Sequence, residues 1–313
     1  MKRRELLQRS ATFGIAAAVP FLAFGKIAVS GLADPPVTDG QLPAKPNPLT
    51  PPAEGSIPVA FLISDGAVVI DFAGPWEVFG NVMVGNRMNL FHCYSVAETL
   101  KPIQASGGMK IIPDYTLETA PAPKVLVIPA QGGASKAMLE WIRKSAKSAD
   151  VTMSVCTGAF LLAETGLLAG KAATTHHGEL MNLEMSYPDI QVRRGARFVE
   201  AGNLASSGGL SSGIDLAFRV VERYYGRAVA KQTANSMEYQ GQGWMNPDSN
   251  AEFAKVPAST DEHPLCAVCG MDVDAASAPK SAYKGKTYYF CIQSHKEQFD
   301  AAPEKVIAAI DKP

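Results

Sequence analysis

The residues from Ile57 to Gln240 predict an α/β fold with a doubly wound, parallel-rich central sheet, and a small α+β domain follows them. Three observations carry this expectation. Short apolar runs alternate with helix-patterned segments, as in a sheet covered by helices on both faces. Val125–Ile128 (VLVI) and Val151–Val155 (VTMSV) are apolar and β-branched runs of the kind found in buried central strands. Near the end, Cys266-Ala267-Val268-Cys269 and the later Cys291 and His295 have the spacing of a thiolate metal knuckle.

Composition agrees. With 313 residues the chain holds one large domain or two smaller ones, and 47% apolar residues suffice for a packed core. A formal net charge of −1 gives no basic surface for nucleic acid.

The first 33 residues read as a targeting segment. Lys2-Arg3-Arg4-Glu5-Leu6-Leu7-Gln8 resembles a twin-arginine (Tat) export signal, with a mildly apolar run from Ile15 to Val29 and small residues for cleavage after Ala33. That run is too interrupted for a good membrane span, and an uncleaved amphipathic anchor is the alternative. Recognition by the twin-arginine machinery and a periplasmic or otherwise exported location are expected. Residues 34–55 carry seven prolines between Asp34 and Glu54 and read as an extended linker.

Within residues 56–245 the expected order is as follows. Ile57–Ile63 is a strand and Pro75–Val84 a helix with proline in its first turn. Asn89–Ala97 and Lys110–Pro113 are strand-like, and Val125–Ile128 feeds the loop Pro129-Ala130-Gln131-Gly132-Gly133. Ser135–Ser148 is an amphipathic helix. Val151–Val155 then leads through Cys156-Thr157-Gly158 into an apolar helix, Ala159–Leu168, ended near Gly170. Another helix lies around Gly178–Met185, two short strands flank Gly202-Asn203, and Ser212–Tyr225 and Val229–Met237 are helices. A flavodoxin-like three-layer sandwich is the expected architecture, with chemistry at the carboxyl ends of the strands.

Strand, tight turn and helix put the Cys156 sulfur at a helix N-terminus, where free N–H groups favour the thiolate. The geometry parallels a nucleophile elbow with cysteine in place of serine, and Cys156 is the expected nucleophile. A buried packing cysteine is the alternative. Cys93, inside a strand, reads as packing.

Three segments carry a resemblance: DFAGPWEVF (Asp71–Phe79), SVCTGAFLLAETGLLAGKAATTH (Ser154–His176) and GNLASSGGLSSGID (Gly202–Asp215). In this order they resemble the ThiJ/PfpI family, within the class I glutamine-amidotransferase-like fold. The subgroup match is to isonitrile hydratases and to the sensor domains of some AraC-type regulators. No helix-turn-helix region follows, and an exported chain does not regulate cytoplasmic DNA, so the regulator role is not expected. The resemblance implies that Asp71, just ahead of a helix, points its carboxyl at Cys156 and holds or relays its proton. An Asp capping that helix is the other option. It also implies that Thr157 and Gln131 offer N–H groups to a developing anion. Thr157 could equally be a helix-capping hydroxyl. His176 matches the family histidine, and its role stays open between base and structural residue; His177 stands where the family has an aromatic residue. Ala130-Gln131 replaces the family's Gly-Gly, and since Ala and Gln do not take positive φ cheaply, a narrower or re-aimed anion pocket is expected. Relatives are commonly homodimers, and no cofactor is expected in this domain.

Residues 246–262 read as a second linker and 263–313 as the small domain. This domain resembles a YHS domain: Tyr283–Thr287 matches its hairpin, Phe299 and Pro303 its closing helix, and His295 stands at its usual last cysteine. Cys266, Cys269, Cys291 and His295 are the expected ligands for Zn or Cu(I), with a disulfide as the alternative in an oxidising compartment. The expected activity is that of a cysteine-dependent isonitrile hydratase-like or hydrolase-like enzyme acting on a small electrophilic molecule. The alternative is a non-catalytic metal-handling or redox-responsive protein.

Overall fold

A computed structural model describes residues 47–254, 259–260 and 262–310. The twin-arginine segment and most of the proline-rich stretch lie outside these residues. Among the described residues no helix is long and apolar enough to cross a membrane.

The larger part is a three-layer α/β sandwich. Its elements begin with β1 (Ile57–Leu62), α1 (Val69–Gly80), β2 (Phe91–Ala97), β3 (Ile103–Gln104), β4 (Lys110–Ile111), β5 (Tyr115–Thr116) and β6 (Val125–Ile128). They continue with α2 (Lys136–Ala146), β7 (Val151–Val155), α3 (Gly158–Glu164), β8 (Ala172–Ala173), α4 (Leu180–Ser186) and β9 (Gln191–Val192). β10 (Phe198–Ala201), β11 (Leu204–Ser207), α5 (Ser212–Tyr225), α6 (Arg227–Ser236) and α7 (Ala251–Ala254) complete it.

Seven strands form the central sheet in the order β10-β11-β7-β6-β1-β2-β5. Every pair is parallel except β10–β11, the hairpin at one edge. Alternate side chains feed two cores, as the period of a strand requires. Val59 and Phe61 of β1 and Val125 and Val127 of β6 join Phe79 and Phe218 on the α1/α5 face. Ala60, Leu62, Leu126 and Ile128 join Met138, Ile142 and Leu162 on the α2/α3 face. The chain proceeds outward from β1 to β2, then returns to β6 on the other side. The carboxyl ends of β1 and β6 therefore flank a topological switch point, the place where open α/β sheets build sites.

Four local expectations are corrected. The first helix starts at Val69, so Pro75 lies inside it instead of in its first turn. Asp71 accordingly sits within the first turn of α1, not ahead of it. Of the strand-like Lys110–Pro113, only Lys110–Ile111 forms a strand, paired with β3 in a separate small hairpin. The helix after Cys156 is shorter than its apolar run, ending at Glu164, where the chain turns through Gly166 at φ +79°.

The stretch read as a second linker is partly pinned. Pro247 O accepts the Arg197 N–H at 2.6 Å, and Asn250 Oδ1 accepts from the Arg197 guanidinium at 3.2 Å. Phe253 stacks on His177. At the other end Leu49 N–H donates to Arg223 O, holding the last of the proline-rich chain on α5.

The small C-terminal part contains a hairpin, β12 (Lys280–Tyr283) and β13 (Lys286–Tyr289), and helices α8 (Gln293–Ala301) and α9 (Pro303–Ile310). Lys284 and Gly285 both take positive φ, as a type I′ hairpin turn demands. Val268, Phe290, Phe299 and Val306 form its core, and Met181 from α4 is buried among them.

Candidate functional site: a cysteine elbow and a thiolate knuckle

Cys156 follows β7 with φ +58°, a conformation that costs a non-glycine residue energy and marks a tight elbow. Its N–H donates to Gly208 O (3.1 Å), and its carbonyl accepts the Thr175 hydroxyl (2.9 Å). Gly158 is required here: a Cβ would lie 2.2 Å from Ile128 O and 2.8 Å from Pro129 O. The start of α3 is thus pressed against the end of β6, which brings the Pro129–Gly132 loop beside the thiol.

Asp71 is fully buried. Its Oδ2 accepts the Ala130 N–H at 3.1 Å, while Oδ1 has no hydrogen-bond partner. Val68 is the N-cap of α1 without a side-chain cap, so Asp71 is not a capping residue. Burial raises its carboxyl from 3.8 to about 7, opposed by the Ala130 N–H.

The thiol departs from the sequence expectation. Burial pushes Cys156 up to about 11, and the Asp71 carboxylate pushes the same way. The N–H groups of Thr157 and Leu210 and the Thr157 hydroxyl pull it back only in part. A helix of seven residues offers too little dipole to offset desolvation at a residue only 7% exposed. The resting pair is therefore a thiol beside a carboxyl that titrates near neutrality.

Thr157 makes no side-chain cap for α3; its donors serve the sulfur. Gln131 Nε2 donates to Leu62 O at 3.0 Å, while its Oε1 is buried without a partner. Neither Ala130 nor Gln131 adopts positive φ, so the loop does not need the glycines that the resemblance led one to expect. The Ala130 N–H is committed to Asp71. His176 caps a short 3₁₀ turn, its Nδ1 accepting the Gly178 N–H at 3.2 Å. Its ring lies over Gly209, where a Cβ would approach it to 2.3 Å, and stacks on His177 at 4.2 Å. Burial and His177 lower its pKa, against Glu179. Cys156 is not among its partners. The residue missed in the sequence is Leu210, whose N–H faces the sulfur from φ +47°. The Gly208-Gly209 pair just before it was the available signal.

In the small part, Cys266, Cys269, Cys291 and His295 place their donor atoms within 4.8 Å of one another. Cys266 Sγ and Cys291 Sγ lie 3.4 and 3.3 Å from His295 Nδ1, and the sulfurs of Cys269 and Cys291 are 3.5 Å apart. Donors bound at about 2.0–2.3 Å round one tetrahedral ion sit at about such separations, so the set fits a metal. The three cysteines are free thiols. Hydrogen bonding from Cys269 draws the Cys266 thiol below its usual range, and the same contact pushes Cys269 up.

A buried thiol on a strand-to-helix elbow at the carboxyl edge of a doubly wound sheet, faced by a carboxyl from the first helix, defines a class of cysteine-centred α/β proteins. The chain belongs to the DJ-1/PfpI family, whose profile matches residues 58–223, more than half its length. The YHS domain profile matches residues 267–308. The chain is 30% identical over 194 residues to an isonitrile hydratase of Pseudomonas putida, covering 59% of this chain and 79% of that one. It is 28% identical over 180 residues to the HTH-type transcriptional regulator CdhR of Pseudomonas aeruginosa, covering 56% of this chain and 52% of the regulator. A ThiJ/PfpI family structure from Pseudomonas syringae superposes with TM-score 0.54 at 26% identity, over 60% of this chain and 77% of that one. Drosophila melanogaster DJ-1beta superposes with TM-score 0.52 at 17% identity, over 60% of this chain and all of DJ-1beta, and shares the fold.

Proposed function

We propose that the chain is an exported, cysteine-dependent enzyme that adds water to a small electrophilic substrate, an isonitrile by analogy with the Pseudomonas putida relative. The observation that carries this is the unpartnered Oδ1 of a buried Asp71 facing a thiol on a strained elbow. An orphaned buried carboxyl oxygen is costly and is retained where it meets a ligand.

Protonated Asp71 gives its proton to the terminal carbon of R–N≡C as the Cys156 sulfur bonds to that carbon. The thiol proton replaces the one Asp71 gave, leaving a thioimidate, R–N=CH–S–Cys156. Water adds to the carbon, nitrogen takes a proton, and the C–S bond breaks with return of a proton to sulfur. The products are the formamide R–NH–CHO and the free thiol. The N–H groups of Thr157 and Leu210, which face the sulfur, and that of Gln131 in the adjoining loop steady the developing charge. His176 supports the Gly209–Leu210 turn and takes no proton in this scheme. Turnover of a small alkyl isonitrile that is lost in Cys156→Ala tests the proposal; equal turnover in the variant refutes it. Homodimerisation and twin-arginine export belong to the same proposal, checked by light scattering and by the N-terminus of the secreted protein.

A second reading has its own observation, the Cys₃His set. Zn or Cu(I) held by Cys266, Cys269, Cys291 and His295 would tie the CxxC turn to α8. In that reading the chain handles a metal, and chemistry at Cys156 is incidental. A bound ion with no turnover across isonitriles, aldehydes and amides favours it.

A further inference from the structure

The knuckle opens onto a cleft that the Cys156 chemistry does not use. It encloses about 620 Å³ between the loop after β8 and the CxxC turn, and its walls include His177, Glu179, Cys269, Met271 and Asp272. Cys269 belongs both to this wall and to the Cys₃His set. Cys266 and His295 are only 1% and 7% exposed, so an arriving ion meets the half-buried thiols first.

The cleft's chemistry suits one kind of visitor. Glu179 and Asp272 are among its lining residues, with Arg194, whose guanidinium Glu184 holds through two hydrogen bonds. An acidic concavity concentrates cations. Its exposed uncharged donors are the soft thioether of Met271, 59% exposed, and the borderline imidazole of His177. The His177 ring is held in a stack between His176 at 4.2 Å and Phe253 at 5.7 Å, so its direction is set beforehand. Met271 turns more than half of its surface to water, so its thioether is within reach of an ion in the cleft.

We infer that this cleft is an entry station for a soft monovalent cation, Cu(I) or Ag(I), which Met271 and His177 capture and hand to Cys269. The inference rests on the metal reading of the Cys₃His set. Transfer is ligand exchange without redox: the bonds to thioether and imidazole break as bonds to sulfur form, and each thiol that binds releases its proton to solvent. Zn(II), which thioethers bind poorly, would enter without help from Met271.

The test uses the reduced, metal-free full chain under nitrogen, with Cu(I) offered as its bicinchoninate complex and the loss of that colour followed by stopped flow. Wild type is compared with Met271→Leu, His177→Gln and the double variant. The double variant should load about tenfold more slowly, the lower end of what outer partners contribute at metal sites. Its end point should remain that of wild type, and Met271→Leu should load Zn(II) at the wild-type rate. A double variant that loads Cu(I) at the wild-type rate overturns the entry station. So does a Met271→Leu variant that slows both ions equally, because that reports a structural change. If wild type takes up neither ion, the metal reading beneath it fails as well.

Discussion

Asp71 and Cys156 oppose each other's ionisation. The carboxylate raises the thiol, and both groups already lie above their usual values because they are buried. The pair thus rests with its proton on sulfur and a second proton shared near neutral pH, a state suited to adding S–H across a multiple bond.

Thiol labelling reports this directly. Cys156 is pushed up to about 11, and desolvation with the charge of Glu77 pushes the half-buried Cys93 to about 12. Iodoacetamide should therefore modify Cys156 faster than Cys93 in folded protein at one pH, read by peptide mass spectrometry. Asp71→Asn removes a negative charge and should speed labelling of Cys156 between pH 8 and 9 while leaving Cys93 unchanged. An unaltered Cys156 profile would separate the two groups.

Asp71 also predicts a pH dependence of stability. Its folded pKa is about 7 against 3.8 unfolded, so between these values the folded chain holds a proton that the unfolded chain has lost. Stability from this group is greatest below about pH 4 and falls as pH rises to about 7, by up to roughly 1.4 kcal/mol per pH unit. Denaturation midpoints of wild type minus Asp71→Asn should fall across that window. A flat difference would mean that Asp71 is ionised in the folded state at all these pH values.

Much of the site was legible beforehand, and the reasons for the rest are physical. The elbow could be read because β7, Cys156 and Gly158 are adjacent in sequence, and the Cys₃His set because its spacing is local. The ionisation state could not be read, since desolvation of Cys156 comes from strands and loops distant in sequence. Leu210 contributes a backbone N–H, so its own residue type carries no trace of the role, and only the Gly208-Gly209 pair ahead of it hints at the turn. The position of Asp71 inside α1 was hidden by Pro75, which usually marks a helix start.

Asp215 of α5 organises the polar segment that follows α6, ahead of the stretch from 246 that reads as a linker. Buried Asp215 accepts from Arg197 Nε (2.6 Å), Tyr239 OH (3.1 Å) and Trp244 N–H (2.9 Å). Asp215→Ala leaves a guanidinium and two donors without their acceptor and should cost about 3–5 kcal/mol in chemical denaturation. A loss under about 1 kcal/mol would show that water replaces the carboxylate.

Removing metal should act locally. Chelation or Cys291→Ser should make residues after His263 protease-sensitive while Ile57–Gln240 survives as a stable core. Because Met181 of α4 is buried in the small core, the larger part should also lose a little stability, seen as a lower midpoint. Simultaneous loss of both parts would mean one cooperative unit. No response would show that the four ligands hold no structural metal.

If Cys156 and Asp71 together add water to an isonitrile, both residues must govern formamide formation. The direct measurement is the rate at which wild type, Cys156→Ala and Asp71→Asn convert a small alkyl isonitrile to its formamide. Wild type should turn over, Cys156→Ala should not, and Asp71→Asn should fall by about 10²–10⁴-fold even though its thiol is the more readily alkylated. Formamide produced by Cys156→Ala at the wild-type rate, or none produced by wild type, would contradict it.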